Sequence, residues 1–482
     1  MDNINHIYKN HPKSIYRGVI ENADAAGNAD SASLQTRIGF TSRISQTTII
    51  DIKFTCCGQD SAAVFASYLV GLVKGKDIFQ AAFISYRYLQ PYFNAVPGNL
   101  KPAALTALRA FSDMLSSYWS SANQKLYPLD DNRVVVAMSG GIDSSVTAKM
   151  LVEEGYQVIG VTLKLLPDSF NYQNKSGTCC SPTDITLARR VCLELGISHL
   201  VLDIADEFKE TIIDTFFDKY MQGITPNPCV DCNPRIKFGL LLDRAIQLGA
   251  AYMATGHYCI LEKKQGTCII KKGVDQTKDQ SYMLWKLNQH QLSHIKFPLG
   301  GYHKRDIKKM GSRYFPFLKG KPESQDICFI SPQGYQHYLA AKFGTGEGNI
   351  LNSQGQVLGR HKGYPYYTIG QRKGLGISHA RPLYVKKIIP EQNAVVVGEK
   401  EELLQKEFRA DQLNFLTGNP PSQKFRAQIM IRYNFKPVPA TIELLDSQCA
   451  KCCFDVAQLA ITPGQSAVFY QDNLLLGGGI IT

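Results

Sequence analysis

The sequence predicts an α/β multidomain protein, and three observations carry that reading. Between residues 131 and 345 short apolar runs alternate with helical periodicities, the pattern of a doubly wound parallel sheet. From Ala394 onward short alternating strands recur between turn residues, which predicts a small C-terminal β-barrel. A separate strand-and-helix segment precedes residue 131, and 482 residues exceed what one hydrophobic core serves. The expected divisions are therefore 1–130, 131–345, 346–400 and 401–482, the third a small central domain.

Composition narrows the class. Hydrophobic residues make up 44% and charged residues 20%, the balance of a globular protein. No run of about 18 uncharged apolar residues exists, and Met1 to Ser14 lacks the apolar core of a signal peptide. The expectation is a cytoplasmic protein with no membrane partner. A formal charge of +12 suits a polyanionic partner such as RNA, or else a weakly basic surface with no such partner. Thirteen cysteines, an odd number in a long chain, point to reactive or metal-binding thiols and away from a disulfide framework.

In chain order, Thr47 to Phe54 reads as a strand, Cys56-Cys57-Gly58 as a turn and Ser61 to Val73 as an amphipathic helix ending at Gly75. After a Pro-Gly turn at residues 97 and 98, Pro102 to Ser117 reads as a second helix, and Ser120 to Asp131 as a linker. Val134 to Met138 is then a buried strand. The turn Ser139-Gly140-Gly141 opens into a helix carried by Val146, Met150 and Leu151. Such a strand-loop-helix is a phosphate cradle: the glycines let backbone N–H groups approach an anion, and Ser139, Ser144 and Ser145 add hydroxyls. The helix N-terminus contributes the positive end of a dipole. Asp143 is a candidate ligand for the magnesium of a nucleotide.

A Walker A loop would need Gly-x-x-x-x-Gly-Lys-Ser/Thr, which is absent here. Ser-Gly-Gly-x-Asp-Ser-Ser instead resembles the loop of enzymes that split ATP between its α and β phosphates to adenylate a substrate. The bland alternative is an ordinary Gly-Ser turn. Further apolar strands are expected at Gln157 to Leu165, His199 to Ile204 and Ala251 to Thr255, with helices at 184–195, 207–221 and 236–248. Gly256-His257-Tyr258 follows the last strand and belongs beside the nucleotide. His257 there either contacts phosphate or satisfies an internal hydrogen bond.

The cysteines are unevenly informative. Thr225-Pro-Asn-Pro-Cys229-Val-Asp-Cys232 fixes an irregular loop before a helix whose dipole lowers a thiol pKa. Cys328 begins an apolar Cys-Phe-Ile run that reads as a strand end. A lone C-x-x-C is zinc, redox or nothing, and Cys449 to Cys452 repeats the spacing without any catalytic context. Cys192 reads as core, and Cys179-Cys180 is assigned no chemistry.

Seven ordered motifs resemble the tRNA-specific 2-thiouridylases. They are Ser139 to Ser145, Thr225 to Pro228 with Cys232-Asn233, Ala254-Thr-Gly-His-Tyr258, Lys278-Asp-Gln-Ser-Tyr282, Phe297-Pro-Leu-Gly300, Ser324 to Ile330 and Tyr367 to Gly376. The resemblance implies that ATP adenylates the C2 carbonyl oxygen of the wobble uridine and that sulfur from a cysteine persulfide displaces AMP. It also implies a sulfur-carrier or cysteine desulfurase relay as partner. It assigns the persulfide to Cys328 and the partner thiol to Cys232. Nucleotide contacts fall to Ala137, Met138, Ser139, Gly140, Gly141, Ile142, Asp143, Ser144, Ser145, Leu163, Gly256 and His257. Contacts with tRNA fall to Asn227, Pro228, Cys229, Lys278, Asp279, Gln280, Arg432, Tyr433 and Gln465. One departure stands out: many family members carry aspartate where this chain has Cys229. Cys229, Cys232 and Cys328 together are the count that holds an iron-sulfur cluster with one open iron, an alternative to the persulfide and disulfide route.

Residues 1–130 resemble the NifU/IscU iron-sulfur scaffold family through Phe54-Thr-Cys-Cys-Gly and Val73-Lys-Gly-Lys76. The remaining ligands that family would supply are absent, so the expectation is a degenerate scaffold-like domain. The basic, aromatic stretch Gly359 to Gly376 suits stacking on splayed bases beside phosphates, or alternatively a glycine-rich turn with tyrosines in a core. The rival readings are another adenylating ligase and a non-catalytic iron-sulfur carrier with a nucleotide-sensing domain.

Overall fold

The computed structural model describes residues 16–31, 34–45, 48–78, 80–82, 101–120, 129–167, 181–323, 327–330 and 346–482. The Pro97-Gly98 turn, most of the linker after Ser120, Cys179-Cys180 and residues 324–326 of the Cys328 motif lie outside the described residues.

The N-terminal unit is an antiparallel sheet of β1 (Ala25–Ser31), β2 (Thr36–Ser45) and β3 (Thr48–Cys57), covered by helices α1 (Asp60–Val73) and α2 (Lys101–Ser120). The sequence reading had only β3 of these strands. Strand β1, Ala-Ala-Gly-Asn-Ala-Asp-Ser, has no β-branched residue, and only its register with β2, Ala25 opposite Ser42, makes it extended. Cys56 and Cys57 belong to β3 and not to the expected turn. Ile38 and Arg37 lie opposite them and prolong the ladder, so the chain reverses one residue later, at Gly58 with φ +110°. Phe40 packs against Phe54 and Phe111, joining sheet to α2.

The second unit is a five-stranded parallel sheet in the order β10-β7-β4-β5-β6. Its first elements are β4 (Asp130–Ala137), α3 (Ile142–Glu153), β5 (Gln157–Lys164), α4 (Pro182–Leu195) and β6 (Ser198–Asp203). Val134, Val135 and Val136 are all fully buried, as a strand covered on both faces requires. Helices α5 (Ala205–Phe208) and α6 (Thr215–Met221) are joined by a π-helical stretch, Lys209–Asp214. Helix α7 (Pro228–Cys232) runs through a second π stretch, Asn233–Leu241, into α8 (Leu242–Gln247) and then β7 (Ala250–Ala254). The hairpin β8 (Cys259–Lys264) and β9 (Thr267–Lys272), helix α9 (Gln289–Ser293), β10 (Ile295–Lys296) and α10 (Lys304–Tyr314) complete the unit.

The two N-terminal units are joined along the sheet edge. Strand β6 ends the parallel sheet, and α2 lies against it: Val201 N–H donates to the Ser116 hydroxyl at 3.1 Å, and the Ser198 hydroxyl donates to the Ala82 carbonyl. One apolar cluster runs from Phe40 and Trp119 into Ile159 and Leu202. An edge strand that would otherwise offer unpaired N–H groups is covered in this way.

A small sheet, β12-β11-β14-β13, follows, made of β11 (Gly348–Leu351), β12 (Val357–His361), β13 (Tyr384–Ile389) and β14 (Ala394–Gly398). The last unit is a closed six-strand barrel of β15 (Leu404–Phe415), β16 (Lys424–Met430), β17 (Val438–Leu444), β18 (Cys449–Leu459), β19 (Ser466–Gln471) and β20 (Leu474–Ile481), sealed by β15 pairing with β20. Strands β15 and β18 were not anticipated; charged residues stand along both, Lys406, Glu407, Arg409 and Asp411 in the first and Lys451 and Asp455 in the second. The hairpin β8–β9 adds to the barrel through β20, with Leu474 opposite Lys271. That pairing ties the barrel to the parallel-sheet unit.

Candidate active site

The phosphate loop sits where β4 ends and α3 begins. Gly140 takes φ +70°, and a Cβ there would meet the Asp184 carbonyl oxygen at 2.3 Å, so only glycine fits this approach. The Ser145 hydroxyl donates to the Gly141 carbonyl at 2.7 Å, and Ser139 N–H donates to the Ser144 hydroxyl at 3.2 Å. Ile142 opens α3, whose first turn carries Asp143. The carbonyl of Met138 accepts from the Thr162 hydroxyl at 2.7 Å, and Thr162 in turn meets His199 Nε2 at 2.8 Å. Burial, with Arg189 nearby, pushes His199 down to about 3, so the ring is neutral at pH 7. His199 and Thr162 therefore brace the loop entrance. Ala137 and Leu163 occupy the adjoining strand ends.

Gly256 lies close against the loop: a Cβ would meet Asp143 Cβ at 2.9 Å. His257 is buried instead of open to an anion, its Nδ1 2.7 Å from the Thr255 hydroxyl and its ring against Phe238 and Phe297. Burial, and secondarily Lys237, hold it well below its ordinary pKa. The internal hydrogen bond is the alternative that the structure realises for its side chain.

Several groups at the loop were not found from sequence. Lys304 Nζ donates to both Asp143 carboxylate oxygens at 2.6 Å, and the Tyr258 hydroxyl donates to one of them at 2.8 Å. Lys321 donates to the Gly140 carbonyl at 2.9 Å and to Asp184. Glu323 takes Lys308 at 2.6 Å and Lys278 at 2.9 Å, with Lys304 at 3.9 Å. Partial burial raises its pKa, but the lysines prevail and hold it at about 2. No motif carries Lys304 or Lys321; they reach the loop from a segment more than 160 residues further along, and only the fold brings them there.

The cysteine region is arranged differently from expectation. Cys229 lies in the first turn of α7 and Cys232 at its last residue, not ahead of a helix, because Asn227 already caps it, accepting from Cys229 N–H at 3.2 Å, with Pro228 in the first turn. Cys229 is exposed and Cys232 buried. Between them Asp231 accepts from Lys286 at 2.6 Å and Lys219 at 3.3 Å; burial opposes its ionisation, yet the two lysines lower its pKa. Cys328 is half-buried and sits in a turn, not at a strand end. Phe329 anchors that turn, its ring 5.9 Å from Phe208 and 5.3 Å from Phe216. Among the described residues no three His, Cys, Asp or Glu side chains are placed to hold a metal ion.

Other expected contacts serve as joints. Asp279 is half-buried, accepting from the Ser281 hydroxyl at 2.7 Å and Gly273 N–H at 3.0 Å; desolvation raises its pKa against those bonds. Gln280 accepts from Tyr258 N–H at 3.1 Å, and the Tyr433 hydroxyl donates to the Asp279 carbonyl at 3.2 Å. Gln465 donates to the Thr225 carbonyl at 2.8 Å, pinning the loop before Asn227 to the barrel. Arg432 stays exposed, its guanidinium 5.1 Å from the Phe435 ring. In the Gly359 to Gly376 stretch Tyr367 is buried against His361, and the Tyr364 hydroxyl donates to the Met221 carbonyl at 2.7 Å. These two tyrosines serve the core, while Arg372 and Lys373 are exposed. Cys192 is fully buried, and Cys449 accepts from Arg409 at 2.9 Å on the barrel, far from the loop in sequence and role.

A glycine-bearing loop at the end of a parallel strand, braced from beneath and lined by hydroxyls and lysines, defines a nucleotide-using α/β domain of the HUP class. The family described as tRNA methyl transferase HUP domain matches residues 132–332. The PRC-barrel domain of that set matches residues 336–399, and the aminomethyltransferase β-barrel domain residues 405–481. The NifU-like N terminal domain matches residues 1–125. A tRNA-specific 2-thiouridylase of Clostridium botulinum is 45% identical over 351 residues, 72% of this chain and 99% of that protein. One of Carboxydothermus hydrogenoformans is 45% identical over 354 residues, 72% of this chain and 97% of its own length. The chain belongs to the tRNA-specific 2-thiouridylase family, with a NifU-like domain added before it. Among solved structures, a 4-thiouridine synthetase in complex with RNA and ATP overlaps 42% of this chain and 46% of its own at 15% identity, TM-score 0.27. A scaffold protein of Fervidobacterium islandicum overlaps 23% of this chain and 89% of its own at 14% identity, TM-score 0.17.

Proposed function

We propose that the chain is an ATP-dependent tRNA uridine 2-sulfurtransferase. The observation that carries this reading is the 45% identity to thiouridylases across nearly their whole length, with the phosphate loop and both reactive cysteines inside the matched region. The uridine C2 oxygen attacks the α phosphorus of ATP held at Ser139 to Ser145, and pyrophosphate leaves. An amide-like carbonyl is a poor electrophile, and converting its oxygen to an AMP leaving group removes that barrier. Magnesium commonly takes one carboxylate plus phosphates, and Asp143 is the loop carboxylate that would hold it and so offset phosphate charge.

Cys328 carries the sulfur as a persulfide loaded by a cysteine desulfurase or its relay. The terminal sulfur attacks C2 and AMP departs, leaving a Cys328 disulfide to the base. The Cys232 thiolate then attacks Cys328 Sγ; the electron pair returns to the base sulfur as the thiocarbonyl, and a Cys232 to Cys328 disulfide forms. An external dithiol reduces it for the next turnover. The exposed Arg432, Arg372 and Lys373 suit tRNA phosphates, and Asn227 with Pro228 the approach of the target base.

The test is thiolation of a tRNA transcript with ATP, cysteine and a desulfurase, read by mass spectrometry of the nucleosides. Cys328→Ser is expected to abolish 2-thiouridine while retaining tRNA-dependent AMP formation or pyrophosphate exchange. Full thiolation by Cys328→Ser would overturn the route. Iron and acid-labile sulfide measured on protein purified without oxygen, with and without Cys229→Ala, separate the cluster alternative: stoichiometric iron lost in the variant would replace the persulfide route.

A further inference from the structure

Two lysines flank the phosphate loop, and each is held by an acid of the loop or its neighbour. Lys304 opens α10 and is only 8% exposed, yet places Nζ 2.6 Å from both Asp143 oxygens. Lys321 reaches the other side, bonded to the Gly140 carbonyl at 2.9 Å and to Asp184, which also accepts from Ser181 in the α4 capping box. A buried ammonium such as that of Lys304 is tolerated only when paired, and the half-buried Lys321 is paired in the same way, so both positions are built and not incidental. The loop itself supplies hydroxyls, backbone N–H groups and a helix end worth about half a charge. That is little against the several charges of a triphosphate tail, and the sequence has no Walker lysine to add.

We infer that Lys304 and Lys321 form a clamp that takes the β and γ phosphates of ATP and then the departing pyrophosphate, resting on Asp143 and Asp184 until nucleotide enters. The inference depends on the proposed adenylation by ATP. Phosphate oxygens between the lysines replace the carboxylates as acceptors, and Glu323, 3.9 Å from Lys304, remains beside it as a second anionic neighbour. Both lysines lie on the stretch 304–323 that leads toward Cys328. Pyrophosphate release and the support of the thiol turn thus share one segment.

The clamp touches the tail of the nucleotide and not its AMP half, which separates it from general damage to the pocket. Calorimetric titration of the full chain with α,β-methylene-ATP and, separately, with AMP reads that difference. Lys304→Met and Lys321→Met are each expected to weaken α,β-methylene-ATP by about 10- to 100-fold, the effect of one or two charge-assisted hydrogen bonds. AMP should bind within about twofold of wild type, and Lys304→Arg, which keeps charge and pairing, should restore most of the loss. Should Lys304→Met fail to fold because Asp143 keeps the Tyr258 hydroxyl but loses its ammonium partner, Lys321→Met decides, since Ser181 still satisfies Asp184. Equal affinities in variants and wild type, or equal losses for both ligands, overturn the clamp. A wild-type chain that binds no α,β-methylene-ATP would instead remove the adenylation reading.

Discussion

At Met138 the chain must present a carbonyl and then turn sharply, and a threonine and a neutral histidine hold it there. The cost of that arrangement is pH sensitivity. His199 in the folded chain is depressed to about 3, whereas the unfolded ring titrates near its usual value of about 6.5. The unfolded state therefore takes up a proton first, so the stabilisation is complete above pH 6.5 and is lost as pH falls toward 3, by about 1.4 kcal/mol per pH unit. His257 is depressed by burial as well and acts in the same direction. Urea unfolding midpoints are expected to drop between pH 6.5 and 5, and His199→Gln should reduce that slope by about one proton. A variant with the wild-type slope would assign the titration to other groups.

Elements in this chain are stabilised by what they pack against more than by their own composition. The edge strand β6 is the clearest case, since Ser116 of α2 accepts from its Val201 N–H and the same helix also covers the N-terminal sheet. Ser116→Ala leaves a backbone donor unpaired in a part-buried joint and is expected to cost about 1–3 kcal/mol, measured by chemical denaturation. Loss within about 0.3 kcal/mol would mean that water replaces the hydroxyl. The two π-helical stretches before and after the cysteines also turn apolar side chains inward, Ile212 and Ile213 in the first and Ile236, Phe238 and Leu241 in the second. The turn that holds Cys328 is likewise fixed by packing, with Phe329 inserted among Phe208, Phe216 and Phe217.

On the scale of the whole molecule the barrel is not a loosely tethered module. Asn414 donates to the Trp285 carbonyl at 2.6 Å, Trp285 Nε1 donates to the Ser466 hydroxyl at 3.0 Å, and β9 extends the barrel through β20. Exposed cations on the barrel therefore keep a fixed relation to the unit that carries the phosphate loop. With a formal charge of +12, binding of tRNA is expected to weaken steeply with salt, log K falling with log salt by roughly 0.7–0.9 per phosphate contacted. Arg432→Ala should lower that slope by about one contact while leaving ATP binding unchanged. A salt-independent affinity would remove the electrostatic account of the basic surface.

The phosphate loop, the alternation of the parallel sheet and the C-terminal barrel were legible in the amino-acid order, because each depends on residues adjacent in the chain or on a recurring period. The strands β1, β15 and β18 were not, since pairing partners more than local propensity make them extended, and β2 was passed over although Ile38, Phe40 and Ile44 stand at strand spacing. Neither were Lys304, Lys321, Tyr258 as a ligand of Asp143, nor His199 beneath the loop. Asp279 and Gln280, expected at an RNA surface, have side chains engaged in internal hydrogen bonds to Ser281, Gly273 and Tyr258, a local folding of the loop that composition does not reveal. Sequence determined which chemistry the chain carries. Tertiary structure decided which charges meet, because ion pairs and buried hydrogen bonds depend on distances of a few ångströms between groups separated by tens to hundreds of residues.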